Sequence, residues 1–230
     1  MQLLSASTSD ETKFAQVAQA YRNSSFSAVQ VQDFLNEDIA GAVSAFLLEE
    51  ARFTQVYGVH SVPGHATDVA TWTATPERDR LFHNEMLDGT GGLPTSRNLL
   101  SFLRLRKYFS SEQFCEMVSE CTQLELPSAF EPRVHSLRQR HYLRAHHDRA
   151  GSRRIAYILY LSPGWQPDFG GQLTMLAADG EKMTVTPRYN SLLLFDVYAQ
   201  EEHYIEPVLP LAGERQRLTM SAWLNCERNP

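Results

Sequence analysis

From about residue 126 the chain breaks into short β-rich runs punctuated by Gly, Pro and Asp, and this texture limits the folds open to it. The runs cover 142–146, 155–161, 171–175, 183–187, 192–197, 203–208 and 218–224, with 133–138 as one more. Strands this short cannot bury a face alone, and so many at such spacing indicate a barrel or a two-sheet jelly roll. Ahead of them the periodicity is largely helical. Residues 10–21 set Phe14, Val17, Ala18 and Tyr21 on one helical face, and Asn36, with Glu37 and Asp38 behind it, caps a helix running to about residue 51. Thr75-Pro76-Glu77 starts a helix over 75–88, since Pro suits a first helical position. Further helices are expected over 96–108 and 110–122, the latter with a capping box in Ser110-Ser-Glu-Gln113. Strands are expected at 26–35 and 53–59, and a disordered lead over 1–9. The expected class is α+β: a β-roll core over residues 126–230, with a helical and mixed region over 1–125 packed outside it as one compact domain.

Composition narrows the function. A net charge of −6 over 230 residues disfavours a dedicated nucleic-acid surface. No apolar run approaches the roughly 20 residues of a membrane helix, and the first residues lack the basic stretch of a signal peptide. Cys115, Cys121 and Cys226 form neither a CxxC pair nor an even set, so reduced thiols and a cytoplasmic location are expected. The Gly-rich 88–94 stretch lacks the Lys-Ser/Thr of a phosphate loop and reads as a linker. Arg97, Arg104, Arg106 and Lys107 read as a solvated helix face.

The chemistry gathers at Arg144-Ala-His-His-Asp-Arg149. In an extended strand His146 and Asp148 share a face and His147 points the other way. An imidazole beside a carboxylate is two-thirds of the 2-His-1-carboxylate triad that holds non-heme Fe(II). Taken alone the stretch also fits a solvated charged turn. A third ligand would come from a later strand, where His203 is well placed. Arg217 follows, a forked donor suited to a dicarboxylate, and Thr219, Ser221 and Trp223 share its face.

This ordered His-x-Asp, His, Arg series resembles the 2-oxoglutarate and Fe(II)-dependent oxygenases, in particular their prolyl 4-hydroxylase-like branch. The resemblance covers roughly 130–225. It also rests on Arg154-Ile-Ala-Tyr-Ile-Leu-Tyr-Leu-Ser-Pro-Gly-Trp165, Phe169-Gly-Gly-Gln-Leu173 and Pro187-Arg-Tyr-Asn-Ser-Leu-Leu-Leu-Phe195. It implies a double-stranded β-helix (jelly-roll, cupin-like), with His146, Asp148 and His203 as iron ligands. Arg217 would then hold the remote carboxylate of 2-oxoglutarate and Tyr160 would hydrogen-bond the same group, with Tyr142 as candidate for a second contact set. Thr219, Ser221 and Trp223 join these as cosubstrate-pocket candidates. A carboxylate at 148 implies a hydroxylase, because related halogenases carry a small residue there. Gly170-Gly171 reads as a close backbone approach or, equally, an ordinary tight turn.

The resemblance implies Fe(II), 2-oxoglutarate and O2, with ascorbate as a candidate reductant, and hydroxylation of a C–H bond with release of succinate and CO2. The leading substrate is a prolyl residue in a peptide or protein. A free amino acid or other small metabolite is the rival substrate, and a non-catalytic β-roll binding module is the rival class.

Overall fold

The computed structural model describes residues 2–62 and 66–226. The helices are α1 (Glu11–Asn23), α2 (Glu37–Ala45), which runs on into a π segment over Phe46–Glu50, α3 (Val69–Ala74), α4 (Arg97–Phe109) and α5 (Glu112–Thr122). The early strands are β1 (Ala28–Val31), β2 (Phe53–Val59) and β3 (Arg80–Leu87). After α5 come β4 (Ser128–Ala129), β5 (Arg133–Leu137), β6 (Tyr142–His146), β7 (Arg153–Tyr160), β8 (Leu173–Leu176), β9 (Lys182–Val185), β10 (Ser191–Asp196), β11 (Glu202–Ile205) and β12 (Arg217–Asn225).

All strand pairs are antiparallel, in the order β1-β10-β7-β12-β5-β3-β6-β11-β8-β9, with β2 attached to β3 and β4 to β12. The path curls until its two halves meet. Ala156, Tyr160, Leu193 and Phe195 from one half share a buried cluster with Leu173, Met175 and Val185 from the other. This is the double-stranded β-helix.

The central strands are apolar on both faces because both faces are covered. Tyr157, Leu159, Leu192, Leu194, Met220 and Leu224 turn outward into a cluster with Phe46, Phe102, Phe109 and Val118 of the helical layer. Phe109 stacks on Tyr157 with ring centroids 4.7 Å apart. The alternate row of β12 therefore turns inward, and on that row Thr219 lies opposite Tyr160 of β7 and His135 of β5. The helical layer thus fixes which row of β12 lines the cavity.

Several local signals fall where expected. Asn36 Oδ1 accepts from the Asp38 N–H at 3.0 Å, capping α2. Others do not. Residues 75–88 are no helix: the Pro76 signal yields only a 3-10 turn at Glu77–Asp79, and the chain then extends as β3. Its partners β2, β5 and β6 lie elsewhere in the sequence, so non-local pairing overrides a local start signal. The cap of α5 is Ser111, which accepts from the Phe114 N–H, while Ser110 ends α4; with Phe114 three residues on, the expected capping box gives way to a simple N-cap. The lead is also ordered: Leu3 is buried, Ser5 N–H donates to the Phe34 carbonyl, and Asn36 N–H donates to that of Leu3. The strand expected over 26–35 shortens to β1, and that expected over 203–208 ends at Ile205, ahead of Pro207.

Candidate active site

His146 ends β6 and His203 lies in β11, and the sheet register sets them directly opposite each other. That pairing brings two distant imidazoles to ring centroids 4.3 Å apart. Asp148, two residues past His146, completes the group: its Oδ1 is 3.7 Å from His146 Nε2 and its Oδ2 3.5 Å from His203 Nε2. One ligand atom from each of the three residues falls within 4.8 Å of the others. His147 is exposed and outside this cluster.

The local path depends on a bulge. Leu143 pairs with Ile205 and His146 with His203, so β6 spends one more residue than β11 over this interval. The extra residue shifts alternation. Leu143 and His146 both turn inward, whereas Tyr142, opposite His83 on β3, turns to the outer face with Arg144 against its ring. Tyr142 is therefore not in the cavity, and the expectation that it contacts the cosubstrate is corrected.

The electrostatics suit metal ligation. Burial first, and then the neighbouring His146, push His203 down to about 4, so its ring is neutral at ordinary pH and keeps a lone pair. His146 Nδ1 faces the Arg144 carbonyl oxygen at 2.9 Å. His203 Nδ1 lies 3.1 Å from the Gln200 side-chain amide, and the Phe195 ring meets His203 edge-on.

Deeper in the same roll Arg217 is 1% exposed. Its Nε–H donates to the Gly171 carbonyl at 2.6 Å, while Nη2 is buried without a partner among the described residues. Tyr160 lies beside it, ring centroid 5.2 Å from Cζ, with a buried hydroxyl turned toward that guanidinium. Thr219 is buried next along the row; Ser221 and Trp223 are partly buried toward its open end, where Arg153 covers the Trp223 ring. A buried cation and a buried hydroxyl, each with unused hydrogen-bonding capacity, are what an enclosed dicarboxylate would satisfy.

Gly171 fits that cradle closely. Its φ is +70°, and an added Cβ would sit 2.8 Å from Arg217 Cδ. The neighbouring Gly170, at φ +73°, would place a Cβ 2.3 Å from the Pro207 carbonyl oxygen. The pair thus serves as a close backbone approach. Gly171→Ala should displace the guanidinium as well as strain the backbone by about 1–2 kcal/mol. The expected result is at least a tenfold weaker 2-oxoglutarate affinity by calorimetry, at unchanged metal affinity; equal weakening of both would contradict this assignment.

His135 was not singled out by sequence, because a lone histidine in Arg133–Leu137 carries no pattern. It is half-buried, faces Thr219 across the ladder, and has Nδ1 3.4 Å from Asn84 Oδ1. Burial, then Arg133 and Arg217, push it down to about 4; burial and the adjacent His83 do the same to His141. Both values lie below the ordinary 6.5, so the unfolded chain takes up protons that the folded chain refuses. Their stabilisation is complete above about pH 6.5 and falls toward pH 4, by up to about 1.4 kcal/mol per unit for each ring. Urea melts of the metal-free protein from about pH 7.5 to 5 should show this slope, reduced in His135→Gln; a flat profile would contradict it.

A family model described as the 2OG-Fe(II) oxygenase superfamily matches residues 133–225, the stretch carrying all three cluster residues and Arg217. Over these residues the chain is similar to the 2OG-Fe(II) oxygenase superfamily. Among curated relatives, prolyl 3-hydroxylase OGFOD1 of Xenopus laevis is 28% identical over 131 residues, covering 54% of this chain and 25% of that protein. Prolyl 3,4-dihydroxylase OGFOD1 of Ostreococcus tauri is 29% identical over 140 residues, covering 56% and 27%. The chain thus spans about a quarter of the length of these relatives. Among solved structures, a Pseudomonas putida prolyl-4-hydroxylase superposes with TM-score 0.61 at 22% identity, covering 94% of this chain and all of that one. A Trichoplax adhaerens prolyl hydroxylase, in complex with a hypoxia inducible factor oxygen degradation domain peptide fragment, gives TM-score 0.61 at 15% identity, covering 95% and 94%. These likenesses establish the fold. The cofactors of the 2OG-Fe(II) oxygenase superfamily, Fe(II) and 2-oxoglutarate, fit the residues present: a His-Asp-His donor set and, behind it, a buried guanidinium and hydroxyl with hydrogen-bonding capacity to spare.

Proposed function

We propose that the chain is an Fe(II)- and 2-oxoglutarate-dependent hydroxylase of prolyl residues in a peptide or protein. The observation that carries the cofactor half is the His146–Asp148–His203 cluster in a roll that also buries Arg217 with an unused Nη2. His146, Asp148 and His203 would hold the metal through two neutral imidazoles and one carboxylate, leaving coordination positions open. Arg217 and Tyr160 would hold the remote carboxylate of 2-oxoglutarate, with Thr219 beside them and His135 as a further polar wall. Bound together, ferrous iron and 2-oxoglutarate supply oxidising power from O2, releasing succinate and CO2 and delivering a hydroxyl to a C–H bond. The protein's share is positioning and exclusion of water: Arg217 is 1% exposed, whereas the Asp148 and His146 side chains keep 13% and 22%. The metal side therefore opens outward, as a chain substrate requires. The prolyl half is supported by the names of the curated relatives and by the peptide complex of the Trichoplax neighbour.

Anaerobic Fe(II) plus 2-oxoglutarate should give a visible charge-transfer band that His203→Ala removes. Succinate release, measured over proline-containing peptides and free amino acids, should be stimulated by the former. Stimulation only by free amino acids would transfer the proposal to a small-metabolite hydroxylase. Absence of the band would leave a non-catalytic roll.

A further inference from the structure

The two histidines of the cluster are held unequally. Each turns Nε2 toward Asp148, at 3.7 and 3.5 Å. A neutral imidazole has one proton, so an Nε2 that gives its lone pair to a metal needs that proton on Nδ1, and the Nδ1–H needs an acceptor. At His146 the Arg144 carbonyl is that acceptor. At His203 the group within reach is the side-chain amide of Gln200, drawn with Nε2 toward the ring at 3.1 Å. In that orientation two N–H donors would oppose each other once the metal is bound, and Gln200 Oε1 lies buried without a partner. Half a turn of the amide replaces the opposed donors by an Nδ1–H to Oε1 hydrogen bond, because its O and N exchange places with almost no change of shape.

Gln200 is placed for this. It is 5% exposed, in the turn between β10 and β11, three residues before His203. That turn is pinned by Asp196, whose Oδ1 accepts from the Tyr198 N–H at 2.9 Å and whose Oδ2 accepts from Arg154 at 2.7 Å.

We propose that Gln200, through Oε1, fixes His203 in the Nδ1–H tautomer and is a positioning residue for the metal. It acts through His203 and touches neither metal nor cosubstrate, and the inference rests on His203 being a ligand. The test is calorimetric titration of Co(II) into the metal-free protein at fixed pH, with circular dichroism to confirm folding. Gln200→Met, similar in length but without an acceptor, should lose roughly 10–100-fold in affinity, and Gln200→Glu, which keeps an acceptor oxygen, should lose far less. An unchanged Gln200→Met, or a Gln200→Glu that loses as much as Gln200→Met, overturns the proposal while leaving the ligand set intact. Wild-type affinity in His203→Ala overturns the ligand assignment, and the proposal falls with it. The Zn(II)-loaded wild type gives a reading independent of any variant: its ring-nitrogen spectrum should show His203 protonated at Nδ1, and protonation at Nε2 overturns the assignment.

Discussion

Arg217→Met is expected to cripple 2-oxoglutarate use while making the cosubstrate-free protein more stable. The guanidinium is fully enclosed, and its Nη2 has no partner among the described residues. Removing one member of a buried, hydrogen-bonded charge pair costs about 2–5 kcal/mol of binding, roughly 30- to 4,000-fold in affinity. Without the dicarboxylate, however, the cation is desolvated and incompletely paired. Replacing a buried charge by an apolar side chain of similar length is often neutral or stabilising by about 1–4 kcal/mol. The thermal midpoint should therefore rise, by about 2–4 °C per kcal/mol for a chain of this size. Succinate-release kinetics and thermal melts with and without 2-oxoglutarate read both effects. A KM within a few-fold of wild type would show that the pocket lies elsewhere.

Asp148→Asn should abolish metal-dependent turnover at nearly constant shape. The carboxylate lies between two Nε2 atoms, at 3.7 and 3.5 Å, and supplies the only negative charge of the cluster. Amide substitution removes that charge and places an N–H₂ donor where the ion would sit. Affinity for Fe(II) or Co(II) should fall by more than the roughly 10–100-fold expected for losing an outer partner. Calorimetry on the metal-free variant, with its folding checked by circular dichroism, decides the point. Metal binding as tight as wild type would remove Asp148 from the ligand set.

The roll and its cluster were legible in sequence because their signals are periodic or paired. Short apolar runs at regular spacing marked the strands, and alternation put Arg217, Thr219, Ser221 and Trp223 on one row without knowledge of any partner. Three things were hidden. β3 was masked by Thr75-Pro76, a local helix start outweighed by pairing with three distant strands. Tyr142 was offered by the resemblance alone, and the extra residue of β6, which turns it away from the face of His146, leaves no mark in the sequence. His135 and Gln200 carried no pattern: each matters only through a neighbour more than 40 residues away or across a turn.

The extra residue in β6 has a consequence for how the chain tolerates change. Between Leu143 and His146 one strand counts three steps while its partner counts two. Shortening that interval by a single residue would leave the hydrogen-bonded ladder free to close perfectly. By alternation the same edit would keep His146 on the face of Leu143 and opposite His203. The facing of the two imidazoles thus does not depend on the extra residue, which instead sets how Tyr142 and Arg144 fall relative to them.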